Sequence, residues 1–194
     1  LDVVIKWAKE NDLGVIDLGR DADQIGKQAV DAGMRIGAAD LVEWQGLITA
    51  DKAKRDDALA RTKAYVEKCC HEMGPTNFFV VMLPENPNAS RRANFKYMVE
   101  AFGELVPTLE QHQGKIVMEG WPGPGALCCT PETIRALLKE VPSKSMGFNY
   151  DPSHLIRMGI DPIRVLHEFA DRVYHVHGKD TELMPERLYE YGNL

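Results

Sequence analysis

The amino-acid sequence predicts an α/β fold in which helices pack outside a parallel sheet. Helix-patterned and strand-patterned segments alternate strictly through six units, which calls for crossover connections and parallel pairing. The chain has 194 residues, 44% hydrophobic and 27% charged, enough for one sizeable core in a single domain spanning 1–194. No internal repeat, low-complexity stretch or charge block interrupts it. Two arrangements satisfy the alternation, a doubly wound open sheet and a closed eight-stranded barrel. A barrel typically takes ~250 residues, whereas this sequence opens in a helix pattern and closes soon after a strand pattern. The barrel reading therefore expects one strand before the first residue and a helix–strand–helix unit after the last.

Residues 1–13 read as a helix with Val3, Val4, Trp7 and Ala8 on one inward face, stopped by Gly14. "VIDLG" (15–19) is a short strand, 23–33 a second helix and "RIGAADLVEW" (35–44) a second strand. Residues 51–73 form a long polar helix that turns Leu59, Val66 and Cys70 inward and stops at Gly74-Pro75. "NFFVVML" (77–83) is the third strand. The clearest periodicity follows: Phe95, Met98, Val99, Phe102, Leu105, Val106 and Leu109 recur at three- and four-residue steps, one buried helical face. Gly114 ends that unit, and "KIVMEGW" (115–121) is the fourth strand. Thr130, Pro131 and Glu132 then supply an N-cap, a proline at the first helical position and an acid in the first turn. Ile134, Leu137, Leu138 and Val141 form the buried face behind them. "SMGFNYD" (145–151) is the fifth strand, Asp161-Pro162 caps a further helix, and "RVYHVHG" (172–178) is the sixth strand.

Bulk properties remove several function classes. A formal charge of -6 argues against a nucleic-acid or anionic-membrane surface. The longest strongly apolar run, Phe78–Leu83, is far short of a membrane span of ~20 residues. Residues 1–20 lack a basic start followed by an apolar stretch, so no signal peptide is expected. The cysteines form two adjacent pairs, Cys69–Cys70 and Cys128–Cys129, without C-x-x-C metal spacing. They read as reduced structural thiols of a cytoplasmic protein, with one disulfide between the pairs as the alternative.

In either parallel architecture, ligands bind at the carboxyl ends of the strands. Those ends carry Asp17, Glu43, Glu85, Glu119, Asp151 with His154, and His177 with Lys179 and Asp180. His175 and His177 share one face of their strand, because strand side chains alternate. Neighbouring strands lie ~4.8 Å apart, so the last three ends can aim Glu119, Asp151 and His177 at one point. Two carboxylates and an imidazole suit a divalent ion of intermediate hardness such as Mn²⁺, Co²⁺ or Zn²⁺. A dication also removes the repulsion between buried carboxylates.

"IVMEGW", "FNYDPSH" and "VYHVHGKD", in that order on successive strands, resemble the sugar phosphate isomerase/epimerase family with the xylose isomerase-like (β/α)8 TIM barrel. The likeness runs from about residue 1 to 180 and is strongest over 115–180. It implies a barrel represented incompletely at both ends and one divalent metal ion (Mn²⁺, Co²⁺, Zn²⁺ or Mg²⁺) held by Glu119, Asp151 and His177. The family's fourth ligand, a glutamate on the last strand, is expected outside the sequence, since Glu186 and Glu190 fall in a helical tail. The resemblance also makes Glu119 a general acid/base and His154 a contact to a substrate oxygen. Its substrate would be a small sugar or cyclitol, isomerised or epimerised through an enediolate, with a homodimer as a common assembly. A dehydratase acting on an inositol-derived ketone would use the same parts.

Blander readings stand beside these. Asp17, Glu43 and Glu85 fit helix caps or solvated turns, and Asp151 alone fits an Asx-turn. His175 fits packing or a hydrogen bond inside the barrel. Lys179 and Asp180 either pair with each other or contact substrate and orient His177. His71, His112 and His167 fall on helices, away from the strand ends. "GWPGPGALCC" (120–129) reads as a turn-rich loop, its prolines removing the donors of a phosphate cradle, with Trp121 as an apolar wall for a sugar. An AP-endonuclease-type repair enzyme would need histidines at the early strand ends and an Asp-x-His late in the chain. "IDLGR" and "DLVEW" carry no histidine, and no Asp-x-His follows Asp180. A barrel that binds ligand without catalysis is the remaining class.

Overall fold

A computed structural model of the chain describes residues 1–192. Strands β1 (Val15–Leu18), β2 (Arg35–Asp40), β3 (Asn77–Val81), β4 (Lys115–Glu119), β5 (Met146–Tyr150) and β6 (Val173–Val176) form one sheet in chain order. Every neighbouring pair is parallel. Helix α1 (Asp2–Glu10) precedes β1, and α2 (Ala22–Asp31) joins β1 to β2. Helices α3 (Trp44–Leu47) and α4 (Lys52–Met73) lead to β3, and α5 (Arg91–His112) leads to β4. Helix α6 (Pro131–Glu140) leads to β5, α7 (Pro152–Arg157) and α8 (Pro162–Phe169) lead to β6, and α9 (Pro185–Tyr191) follows.

A single contact separates the open sheet from the barrel. Laid flat, six strands ~4.8 Å apart would hold β1 and β6 roughly 24 Å from each other. Instead Asp17 Oδ1 on β1 lies 3.2 Å from His175 Nε2 on β6. Across the same interior, Asn77 Nδ2 on β3 donates to Tyr174 O on β6 at 3.4 Å. The sheet is curled into a half-barrel with its helices outside.

The main core lies between sheet and helices. Phe78, Val80, Ile116 and Met118 pack with Met98, Phe102, Leu105 and Leu109 of α5, the face that the apolar spacing predicted. Each such side chain contributes about 1.5–3 kcal/mol on full burial. Leu59, Val66 and Cys70 of α4 are buried as expected. Helix α6 starts on the predicted cap: Thr130 Oγ1 accepts from Thr133 N and Thr133 Oγ1 accepts from Thr130 N. Asp161 caps α8, accepting from Ile163 N at 2.9 Å and Arg164 N at 3.1 Å. All four cysteines are buried and free, so no disulfide joins the pairs. Burial pushes the Cys69 thiol up to about 12 and raises Cys70 and Cys128 as well.

Three local expectations need correction. Helix α1 buries Ile5 and Ala8, while Val3, Val4 and Trp7 face outward; its neighbours are Ala29 and Met34, whose small contact area reaches only one ridge of the helix. The second strand stops at Asp40 rather than Trp44, because Glu43 takes a left-handed conformation (φ 59°) and opens α3. After β5 the chain forms α7, which the proline following Asp151 initiates. Among the described residues, no helix is long and apolar enough to cross a membrane.

Candidate metal centre

The carboxyl ends of β4, β5 and β6 build the site. β4 runs through the interior and delivers Glu119, 6% exposed, at its last position. The β4–β5 register places Asn149 directly beside Glu119. Asp151, 3% exposed, follows β5 by one residue and is the N-cap of α7. Its Oδ1 accepts from Ser153 N at 2.9 Å and Ser153 Oγ at 2.5 Å. The Asx-turn reading and the site reading thus fall on different oxygens of one carboxylate. Oδ2 is buried, lies 2.9 Å from Lys179 Nζ and accepts no well-directed hydrogen bond.

Helix α7 carries His154 to the same point. Its Nε2 lies 3.3 Å from Glu119 Oε1 and 3.4 Å from Asp151 Oδ2, and its Nδ1 is buried without a partner among the described residues. His177 follows β6 by one residue, and its Nδ1 shares a 2.6 Å hydrogen bond with Glu119 Oε2. Phe79 of β3 packs on the His177 ring, with centroids 5.3 Å apart. Glu119, Asp151 and His177 each offer one ligand atom, all within 4.8 Å of one another.

Two ionisations respond to this enclosure. Burial alone would raise the Asp151 carboxyl, but Ser153 and Lys179 outweigh it and hold Asp151 below the usual carboxylate range. Burial lowers His154, against the pull of the Asp151 and Glu119 carboxylates, and favours the neutral ring.

The donor set fits a divalent cation. Asp151 Oδ2 is a buried acceptor 2.9 Å from the Lys179 ammonium, which stands where a cation would neutralise it. Two carboxylates within hydrogen-bond range of two imidazoles give mixed oxygen and nitrogen donors, as Mn²⁺, Co²⁺ and Zn²⁺ accept.

The remaining predicted residues divide between the site and partners of their own. Lys179 pairs with Asp151 rather than Asp180, whose carboxylate accepts instead from Thr181 N at 2.8 Å. His175 bonds Asn149 Oδ1 at 2.9 Å and faces Asp17, and together with Asp17 and His177 it forms a second group of potential ligand atoms within 4.8 Å of one another. Glu43 pairs with Arg61 at 3.1 Å, and Glu85 bonds Thr49 and Lys54. Trp121 folds its ring over Gly123 within its own loop. His71, His112 and His167 lie on α4, α5 and α8. Asn149 was not predicted, although Gly147, Asn149 and Asp151 share the face that two-residue alternation gives the strand. Beyond β1–β3 a cavity of about 480 Å³ is lined by Arg20, Glu43, Trp44, Lys54 and Glu85. A smaller one, about 130 Å³, shares Arg20 and Trp44 and adds Asp40 and Phe79, the residue packed on His177.

A curled parallel sheet with acids and imidazoles converging at its strand ends defines an α/β-barrel protein with a polar centre. Residues 5–190 match the model of the xylose isomerase-like TIM barrel family, and the chain belongs to that family. Over 70 residues it is 41% identical to the uncharacterized protein YfiH of Bacillus subtilis (strain 168), covering 36% of this chain and 21% of that protein. Over 54 residues it is 37% identical to an inosose dehydratase of Geobacillus thermodenitrificans (strain NG80-2), covering 28% and 18% respectively. Each match spans about a fifth of the relative's length. A D-tagatose 3-epimerase-like protein superposes with a TM-score of 0.75 at 16% identity, over 94% of this chain and 73% of that one. The 3-keto-D-glucoside 4-epimerase YcjR of E. coli gives 0.74 at 16%, over 96% and 80%. An IOLI protein with a bound zinc atom gives 0.74 at 18%, over 95% and 69%. These superpositions show a shared fold.

Proposed function

We propose that the chain forms the metal-binding face of an isomerase or epimerase acting on a sugar, sugar phosphate or related polyhydroxy carbonyl compound. The observation that carries this reading is the convergence of Glu119, Asp151 and His177, with a buried Asp151 oxygen left without a well-directed donor. Glu119 Oε2, Asp151 Oδ2 and His177 Nδ1 would hold the ion. A divalent cation there supplies Lewis-acid polarisation of a carbonyl and the hydroxyl beside it.

The remaining chemistry belongs to this chain's side chains. Glu119 Oε2 is engaged by Asn149 and His177, which leaves Oε1 to take the proton from the carbon next to the carbonyl and return it. Return to the neighbouring carbon on the same face isomerises the substrate; epimerisation needs a second acid group, across the substrate from Glu119, to protonate the opposite face of the same carbon. His154 Nε2, 3.3 Å from Oε1, holds a substrate hydroxyl in line with that transfer. With a cation bound, Lys179 would be free of Asp151 and would contact a substrate oxygen, while Trp121 would offer an apolar wall. Phe79 and the Trp44–Arg20 cavity receive the far end of the substrate.

The test is product analysis by NMR in D₂O on a panel of ketoses, aldoses and inosose, with Mn²⁺- or Co²⁺-loaded protein. Isomer exchange with deuterium entering the carbon next to the carbonyl is the expected result. Net loss of water would replace this reading with a dehydratase, the alternative favoured by the local identity to inosose dehydratases. Nicking of abasic DNA in place of either would point to the repair class. Substrate binding that survives Glu119→Gln in metal-free protein, with no turnover, would point to a binding protein.

A further inference from the structure

The structure assigns Asn149, steadied by His175 and Asp17, as the positioning residue that fixes Glu119 and His177 relative to each other. The assignment rests on the metal reading above only in taking those two as ligands. Asn149 is 0% exposed, and a buried amide costs free energy unless each of its groups is bonded. Both of its polar atoms are. Its Nδ2 donates to Glu119 Oε2 at 2.7 Å and packs 3.0 Å from His177 Nδ1, which shares its own proton with the same carboxylate oxygen, and its Oδ1 is 2.9 Å from His175 Nδ1. The carboxylate fixes which way the amide points, since a flipped Asn149 would set two acceptor oxygens against each other. His175 Nδ1 is therefore the donor to Asn149 Oδ1.

The chain of bonds continues to the opposite edge of the sheet. His175 Nε2 lies 3.2 Å from Asp17 Oδ1, which also accepts from Ala38 N at 2.8 Å. His175 thus has an oxygen beside each ring nitrogen, and turning the ring would break the bond from Nδ1 to Asn149 Oδ1.

Strand irregularities supply an independent argument. Between β5 and β6 the register jumps from Phe148↔Val173 to Asn149↔His175, so the extra residue sets His175 beside Asn149. Between β1 and β2 it jumps from Ile16↔Ile36 to Leu18↔Ala39, and Asp17 Oδ1 takes the Ala38 N–H exposed there. Bulges beside functional sites re-aim side chains. Here the two irregularities lie at the two ends of one hydrogen-bonded path, Asp17–His175–Asn149, that terminates on Glu119 and His177. Asn149 also decides that Oε1 rather than Oε2 of Glu119 remains free. It touches the ligands from beneath and is a positioning residue.

The test titrates Co²⁺ into chelator-stripped protein, reading affinity by calorimetry and coordination by the visible absorption of the bound ion. Asn149→Leu matches the volume without polar groups. It is expected to weaken Co²⁺ binding by ~10–100-fold, the usual scale for groups that orient metal ligands, and to alter the Co²⁺ bands. At the half-buried end of the path, His175→Leu should do the same more weakly. His175→Gln, whose amide can donate to Asn149 Oδ1, should restore both affinity and spectrum. That rescue separates positioning from packing, and it decides the matter even if Asn149→Leu does not fold. Wild-type affinity and spectrum in Asn149→Leu, or in His175→Leu, would overturn the assignment while leaving the metal reading intact. Absence of Co²⁺ uptake by the wild type, or unchanged uptake by Glu119→Gln, would overturn both.

Discussion

The two halves of the half-barrel carry similar acids at their strand ends and use them differently. On the β1–β3 side, Glu43 and Glu85 find partners nearby, Arg61 and Thr49 with Lys54, and Asp17 accepts from Ala38 N while reaching across to His175 of β6. On the β4–β6 side, Glu119 and Asp151 are nearly fully buried and share their surroundings with His154 and His177. An exposed acid with its own cation is satisfied without a ligand. Two buried acids directed at one point are satisfied only by a shared positive charge, from imidazolium, ammonium or a bound metal. The type of residue at a strand end therefore says less than its depth and the direction of its neighbours.

Substitutions across the divide should break or sharpen this contrast. Glu119→Gln should give the largest effect. Turnover is expected to fall by ~10²–10⁴-fold, the range for a lost general acid/base, with substrate binding changed far less; steady-state kinetics on the metal-loaded protein would show it. If kcat holds and only KM rises, Glu119 binds substrate and does no proton transfer.

Next come two matched glycines. A Cβ at Gly147 of β5 would collide with the Tyr174 ring and lie 2.7 Å from Arg172 O, so backbone must move. Gly147→Ala should cost about 1–3 kcal/mol in urea unfolding, as overpacking usually does. At Gly37 of β2 the obstacles are the ends of side chains, Asp17 at 2.5 Å, Val15 at 3.1 Å and His175 at 3.2 Å, which can yield more easily than backbone. Gly37→Ala should cost less, and the reverse order would mean that the β4–β6 side is the more adaptable half.

The third prediction concerns pH. Burial places His154 below its unfolded value of ~6.5, so the unfolded chain binds more protons at mildly acid pH. Stability of chelator-treated protein should hold above about pH 6.5 and decline as pH falls from there toward the folded value. Thermal midpoints measured between pH 8 and 5 would reveal the slope, and His154→Gln should flatten it. An identical slope in that variant would assign the loss to another group.

The smallest effect belongs to the exposed acid of the other half. Glu85→Gln removes one exposed ion pair and should change stability by no more than ~1 kcal/mol. Co²⁺ affinity should stay at the wild-type value. A loss comparable to that of Glu119→Gln would erase the distinction between the two sides.

Several of these features were legible in the residues themselves. The α5 face from Phe95 to Leu109 follows from three- and four-residue spacing, and the α6 cap follows from Thr130-Pro131-Glu132, because both are set within one or two turns of chain. Glu119, Asp151 and His177 were legible because each closes an apolar strand segment. The errors fall where distant parts decide. Val3, Val4 and Trp7 look like a buried stripe, yet the ridge that meets a neighbour holds Ile5 and Ala8. Asp40 rather than Trp44 ends β2 because Glu43 turns left-handed and opens α3, which packs on α4 so closely that a Cβ at Gly46 would lie 2.8 Å from the Ala58 methyl group. Between the two roles the sequence left open for Lys179, pairing with adjacent Asp180 and reaching the site, the fold chooses a partner in the site, Asp151 of the neighbouring strand end.

The sequence by itself determined the order of elements, their parallel pairing and the three strand ends that carry Glu119, Asp151 and His177, since periodicity and capping act over short stretches of chain. Tertiary structure alone decided that the sheet curls until Asp17 meets His175, and that Asn149 spans the gap between two prospective ligands. Both depend on strand twist and on bulges that shift register by one residue, and neither leaves a mark in the pattern of any single segment.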